Sequence, residues 1–164
     1  MATNSIKTAK IERRKLWFES IDDLLVELDR IERAAENGTL KVSGNWTEGQ
    51  ILAHLSNWIE YGWTGYPVKS PPFFLKWITV RMGHRFIRKG MPAGQKIPGT
   101  KEGTFGQEKI ETAEGLRRLR KNLERLQNGE VAKFDSPAFG PLSHEDRIKL
   151  NLRHAELHLS FLNY

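Results

Sequence analysis

Leu152-Arg153-His154-Ala155-Glu156-Leu157-His158-Leu159-Ser160-Phe161 is the stretch on which the reading of this chain turns. On a helix, His154 and His158 are four residues apart and leave one face a single turn from each other. Asn151 continues that stripe one turn back, and Ile148, Leu150, Leu152, Ala155, Leu159 and Leu162 flank it. The imidazoles therefore emerge among apolar neighbours, on a face that a folded chain buries. Neutral imidazoles placed this way offer two nitrogen ligands to a divalent ion, each at about 2.0–2.1 Å. No Glu follows the first His, so this is not the metalloprotease pattern. Two ligands do not make a site, and a third has to come from elsewhere.

Upstream, Ser143 with Asp146 gives a capping-box pattern that starts the His-bearing helix. Residues 134–142 read as a turn region, with Pro137, Gly140 and Pro141 between the aromatic anchors Phe134 and Phe139. A long helix is expected over Thr112–Gln127, with Leu116, Leu119, Leu123 and Leu126 as its core stripe and Asn128-Gly129 as its stop. The Gly- and Pro-rich loop 90–106 is expected to be mobile, and residues 73–89 before it have helical character. Thr47 with Gln50 opens a helix whose face carries Ile51, His54, Leu55, Trp58 and Gly62. Lys41–Trp46 reads as a short link. Ser20 with Asp23 opens the first helix, which runs on Ile21, Leu24, Leu25, Leu28 and Ile31 to Asn37-Gly38. The expectation is an all-α fold, a four-helix bundle with a long crossover that contains an extra helix. It forms one domain over residues 1–164, with residues 1–19 as a polar tail.

The chain has 164 residues and no cysteine, which excludes disulfides, thiolate metal sites and a cysteine nucleophile. Its net charge is +6, yet residues 61–101 hold eight Lys/Arg and no acid. That belt reads first as a solvated face; as a binding surface it could meet nucleic acid, anionic lipid or an anionic small-molecule substrate, which the loop 85–101 would draw in. No nucleic-acid motif accompanies the charge, which argues against nucleic acid as partner. No signal peptide is readable at the N-terminus, and Phe73–Val80, the longest apolar patch, is far short of the roughly 20 residues of a membrane span. A cytoplasmic protein that binds no membrane is expected, and a homodimer is compatible with it.

His54 is the natural third ligand. It is the one ionisable group on an apolar helical face, and an unsatisfied imidazole buried there costs about 1–3 kcal/mol. If its helix neighbours the last one, at about 8–10 Å between axes, His54 approaches His154 and His158. Three imidazoles then cap one ion and leave a position open for water or substrate. Trp58, one turn beyond His54, and Asn151 are the candidates to line a pocket; the other tryptophans read as core. Glu156 is offset from the His stripe and is not assigned as a base, while His84 and His144 read as surface residues.

Gly44-Asn45-Trp46-Thr47-Glu48-Gly49-Gln50-Ile51-Leu52-Ala53-His54-Leu55, taken with Arg153–Phe161, resembles the DinB/YfiT-like superfamily. Within it the similarity is greatest to a branch known only as a domain of unknown function, which Phe139-Gly140-Pro141-Leu142-Ser143 also resembles. The resemblance spans residues 14–163 and is weak between 61 and 110. It implies a four-helix bundle and a three-His metal site, one His from the second helix and two from the fourth, matching His54, His154 and His158. Members include metal-dependent thiol S-transferases, and hydrolases or isomerases that use a thiol cofactor. The implied cofactors are a divalent ion, Zn²⁺ or Ni²⁺, and a low-molecular-weight thiol. The alternative is a stress-related binding module whose metal site is structural or vestigial. Where related sequences carry another His just before the Phe-Gly pair, this chain has Ser136-Pro137.

Overall fold

Side-chain caps at Ser20, Thr47 and Ser143 place three of the helices where their apolar stripes begin. The structure is a computed structural model and describes residues 8, 11–68, 73–95 and 103–164. Among these the chain forms α1 (Ile21–Glu36), α2 (Glu48–Thr64), α3 (Phe73–Lys89), α4 (Thr112–Gln127) and α5 (His144–Leu159). Ser20 and Thr47 close reciprocal capping boxes with Asp23 and Gln50. At α5 only half of the expected box forms: Ser143 Oγ accepts from the Asp146 N–H at 3.0 Å, without a return bond.

The core is leucine from four helices. Leu24 and Leu28 of α1, Leu52 of α2, Leu116, Leu119, Leu123 and Leu126 of α4, and Leu152 and Leu159 of α5 are all buried. Each such side chain contributes about 1.5–3 kcal/mol when removed from water. α2 lies against α4 and α5, α1 lies against the same two, and α3 packs on α5. The α2–α4 approach is close. A Cβ on Gly115 would lie 2.7 Å from that of Leu52, and buried Asn122 donates across the contact to Ser56 Oγ at 2.9 Å.

The link 41–46 is not wholly irregular. Lys41–Val42 (β1) pairs antiparallel with Leu162–Asn163 (β2), Val42 opposite Leu162, so one small sheet joins an otherwise helical fold. Two-residue strands show no periodicity for a sequence reading to find. Residues 96–102 of the loop expected to be mobile lie outside the described residues. Its described end is anchored, because the Phe105 ring stacks on Trp58 with centroids 4.8 Å apart. Trp17 and Trp77, read as core, are 51% and 69% exposed. Among the described residues no helix is long and apolar enough to cross a membrane.

The segment before α1 is bound to the back of α5. Buried Glu156 accepts from the Phe18 N–H at 2.6 Å and pairs with Arg153 at 3.0 Å, while Arg153 donates to the Phe18 carbonyl. Desolvation outweighs attraction in this pair, since burial pushes the Arg153 pKa down and the Glu156 pKa up. The pair therefore positions α5 more than it stabilises it. Breaking it still leaves a buried guanidinium uncompensated. Glu156→Ala is expected to cost about 3–5 kcal/mol in denaturant unfolding, and a loss below about 1 kcal/mol would show that water replaces the carboxylate.

Candidate metal centre

α2 delivers His54, and α5 delivers His154 and His158 one turn apart. Because both helices are packed on their apolar faces, the three rings converge, with centroids 4.9 Å (His54–His154), 4.6 Å (His54–His158) and 4.7 Å (His154–His158) apart. One ring nitrogen from each lies within 4.8 Å of the others. His54 is 1% exposed, whereas His154 and His158 keep an edge open.

A carbonyl oxygen sets the proton positions. His54 Nδ1 lies 2.9 Å from the Phe105 oxygen, which can only accept, so Nδ1 carries the hydrogen and Nε2 presents its lone pair to the cluster. His54 Nε2 is 3.1 Å from His154 Nε2. Two nitrogens at about 2.0–2.1 Å from one ion, subtending bond angles of about 90–109°, are separated by about 2.9–3.4 Å. That pair has the spacing of two ligands on one ion, and with His158 within 4.8 Å of both the three form a group that could hold a divalent cation. Phe105 occupies the place of the hydrogen-bond acceptor that commonly orients a metal-ligating His.

Tryptophan walls the cluster on two sides. Trp46 stacks on His158 at 5.3 Å with planes 6° apart, and Trp58 meets His154 edge-on at 5.6 Å. Burial lowers all three imidazole pKa values, His154 to about 4; charge on the neighbouring rings adds to this at His54 and His158. The rings are thus neutral near pH 7, the form a metal needs. The same shifts make the metal-free protein acid-sensitive. With the folded pKa below the unfolded value near 6.5, the unfolded chain binds more protons as pH falls through that window. Stability present above pH 6.5 is expected to decline progressively toward pH 4, by up to about 3 kcal/mol for His154 alone and less where cavity water solvates the ring. Urea unfolding at pH 7 and pH 5 measures it, and a difference that survives unchanged in His154→Gln would assign the effect to other groups.

A cavity of about 630 Å³ opens from the cluster. His54, His154 and His158 form one part of its wall, and Trp58 and Asn151, both expected to line a pocket, are there too. Asn151 donates to the Arg147 carbonyl at 2.9 Å. The sequence reading missed Trp46, which it assigned to the core, the Phe105 carbonyl, which no side-chain pattern reveals, and Arg147, which lines the same cavity. His84 is exposed, as expected, and Glu156 faces Phe18 and Arg153. His144 is not a free surface residue: its Nε2 lies 2.9 Å from the Leu126 carbonyl, at the C-terminal end of α4. Arg85, Arg88 and Lys89 of the basic belt are exposed and are not among the described lining residues.

No curated protein and no solved structure matches the chain. A family model described as a protein of unknown function, DUF1569, matches residues 10–164, so the chain belongs to that family.

Proposed function

We propose that the protein is a metal-dependent enzyme of the DinB/YfiT-like type, a four-helix bundle of α1, α2, α4 and α5 with α3 in the crossover between α2 and α4. His54, His154 and His158 would hold one divalent cation, Zn²⁺ or Ni²⁺, since imidazole suits either. The observation that carries this reading is the convergence of three neutral rings with a cavity beside them. A filled, dry cluster would favour the structural or vestigial site of a binding module; a cavity at its open edge favours access for a small molecule.

A bound divalent cation would supply Lewis acidity, lowering the pKa of a thiol or water so that a nucleophile exists near neutral pH. The chain does the positioning. Phe105 fixes the His54 ring, and Trp46 and Trp58 keep bulk water from the cluster edges. None of the described cavity-lining residues is Asp or Glu, so no carboxylate there serves as a general base. This favours chemistry in which the nucleophile needs no proton acceptor from the protein, such as S-transfer with a low-molecular-weight thiol, ahead of base-assisted hydrolysis.

Metal analysis of protein purified without a histidine tag tests the first half, with about one divalent ion per chain expected for a single three-His site. Cobalt substitution tests the second. A thiol added to the Co²⁺ protein should generate a sulfur-to-metal charge-transfer band, and an unchanged spectrum would leave the site structural.

A further inference from the structure

Arg147 lies on the same stripe of α5 as Asn151, His154 and His158, seven residues before His154. At 1.5 Å per residue that places it about 10 Å along the helix from the His cluster. It lines the cavity and is 7% exposed. Its guanidinium donates to the Phe134 carbonyl at 3.1 Å and to the Tyr66 hydroxyl at 3.4 Å, both neutral oxygens. Among the described residues no carboxylate forms an ion pair with it, and none lines the cavity. Arg153, similarly buried on the other side of the helix, has Glu156.

The fold makes room for this group. A Cβ on Gly62 of α2 would lie 3.1 Å from Arg147 Nη1. A guanidinium cannot escape burial by losing its proton, and burying an unpaired ion costs several kcal/mol. Two of its five N–H donors are used, and a planar fork matches a carboxylate in two parallel hydrogen bonds. In the metal-free cavity one positive charge balances one negative charge, so a monoanion leaves it neutral, whereas a phosphate dianion would leave it negative. The cavity wall also carries aromatic side chains, Trp58, Tyr66, Phe86 and Phe139.

We propose that Arg147 is the carboxylate-binding residue of the cavity, which takes a small organic acid with an apolar or aromatic body lying toward the histidine cluster. This names the ligand class of the site described above; it rests on that site's cavity but not on its metal.

The test uses a matched pair of probes, 3-(4-fluorophenyl)propanoate and its uncharged amide, titrated against the full-length protein by ¹⁹F NMR before and after Zn²⁺ loading. In metal-stripped wild type the acid should bind at least about tenfold more tightly than the amide, the effect of a charge-assisted hydrogen bond. Arg147→Gln should bring the two within about twofold, and Arg147→Lys, which keeps the charge but loses the fork, should retain part of the preference. Equal binding of acid and amide by wild type overturns the proposal without any variant, so a misfolded Arg147→Gln does not rescue it. A preference undiminished in folded Arg147→Gln overturns it as well. Acid preference in a protein that binds no metal would sink the metal reading and keep this one, and metal binding without acid preference would do the reverse.

Discussion

His158→Ala lowers affinity for Zn²⁺ and Ni²⁺ by more than about 100-fold while the protein stays folded: this is the largest effect expected of a single substitution. Loss of an acceptor that merely orients a metal ligand typically costs about 10–100-fold, and removing a ligand should cost more. Only two imidazoles would remain, and no lining carboxylate among the described residues stands ready to replace the third. The fold survives because the core is built elsewhere: Leu152 and Leu159 of α5 are buried against the other helices, while the His158 edge opens on the cavity. Calorimetric titration of stripped, untagged protein measures the change. Equal binding by wild type and variant would mean that the triad is not a metal site, and the enzyme reading would go with it.

Gly49→Ala should damage stability and the metal centre together. Two effects compete. Alanine is the better helix former by about 1 kcal/mol, which alone would make the variant more stable. Against this, a Cβ at position 49 would lie 1.8 Å from the Ile110 carbonyl oxygen and 2.9 Å from its carbon. Both are backbone atoms, so no rotamer change relieves the clash. Either α2 or the strand of chain leading into α4 has to move, at a cost at or above the upper end of the roughly 1–3 kcal/mol of overpacking. Steric conflict wins over propensity. That displaced chain also carries the Phe105 carbonyl on His54, and Gln50 and Asn57 of α2 hold it through the carbonyls of Gln107 and Gly106. Metal affinity should therefore fall by about 10–100-fold, as for other losses of a ligand's orienting partner. Denaturant unfolding with metal titration reads both; a Gly49→Ala protein more stable than wild type would show that residues 103–111 yield freely.

Much of this was legible in the sequence because it depends on period and on caps. The stripe of α4 and the reciprocal boxes at Ser20 and Thr47 are local signals, and the helices begin where those signals put them. The three histidines could be named because each sits on an apolar helical face and the packing of those faces brings them together. The β1–β2 pairing could not be read, since its register joins residues 41–42 to 162–163 and neither piece is long enough to alternate. Phe105 escaped for a different reason: its contribution is a main-chain oxygen, identical in every residue type. Trp46 and Trp17 look alike in composition and local hydropathy, yet one stacks on His158 and the other lies half exposed over the Arg153 guanidinium. Arg147 was readable from spacing alone, as the next member of the 151–154–158 stripe, but a charge near a helix start invites a surface assignment.

α5 is divided lengthwise. On one side Arg153 and Glu156 grip both the N–H and the carbonyl of Phe18, which fixes the rotation of the helix about its own axis. On the other side Arg147, Asn151, His154 and His158 present their side chains to the cavity. Apart from Arg147, which also bonds Phe134 and Tyr66, the residues that line the cavity are thus different from those that grip Phe18. For redesign, this makes the lining an exchangeable cassette. A carboxylate installed at position 151, or a different donor at 154 or 158, would be delivered to the same space by a helix whose seating does not depend on the change. Oxygen-rich donor sets for other ions could be screened on this scaffold by varying those positions alone, with the Phe18 clamp left untouched.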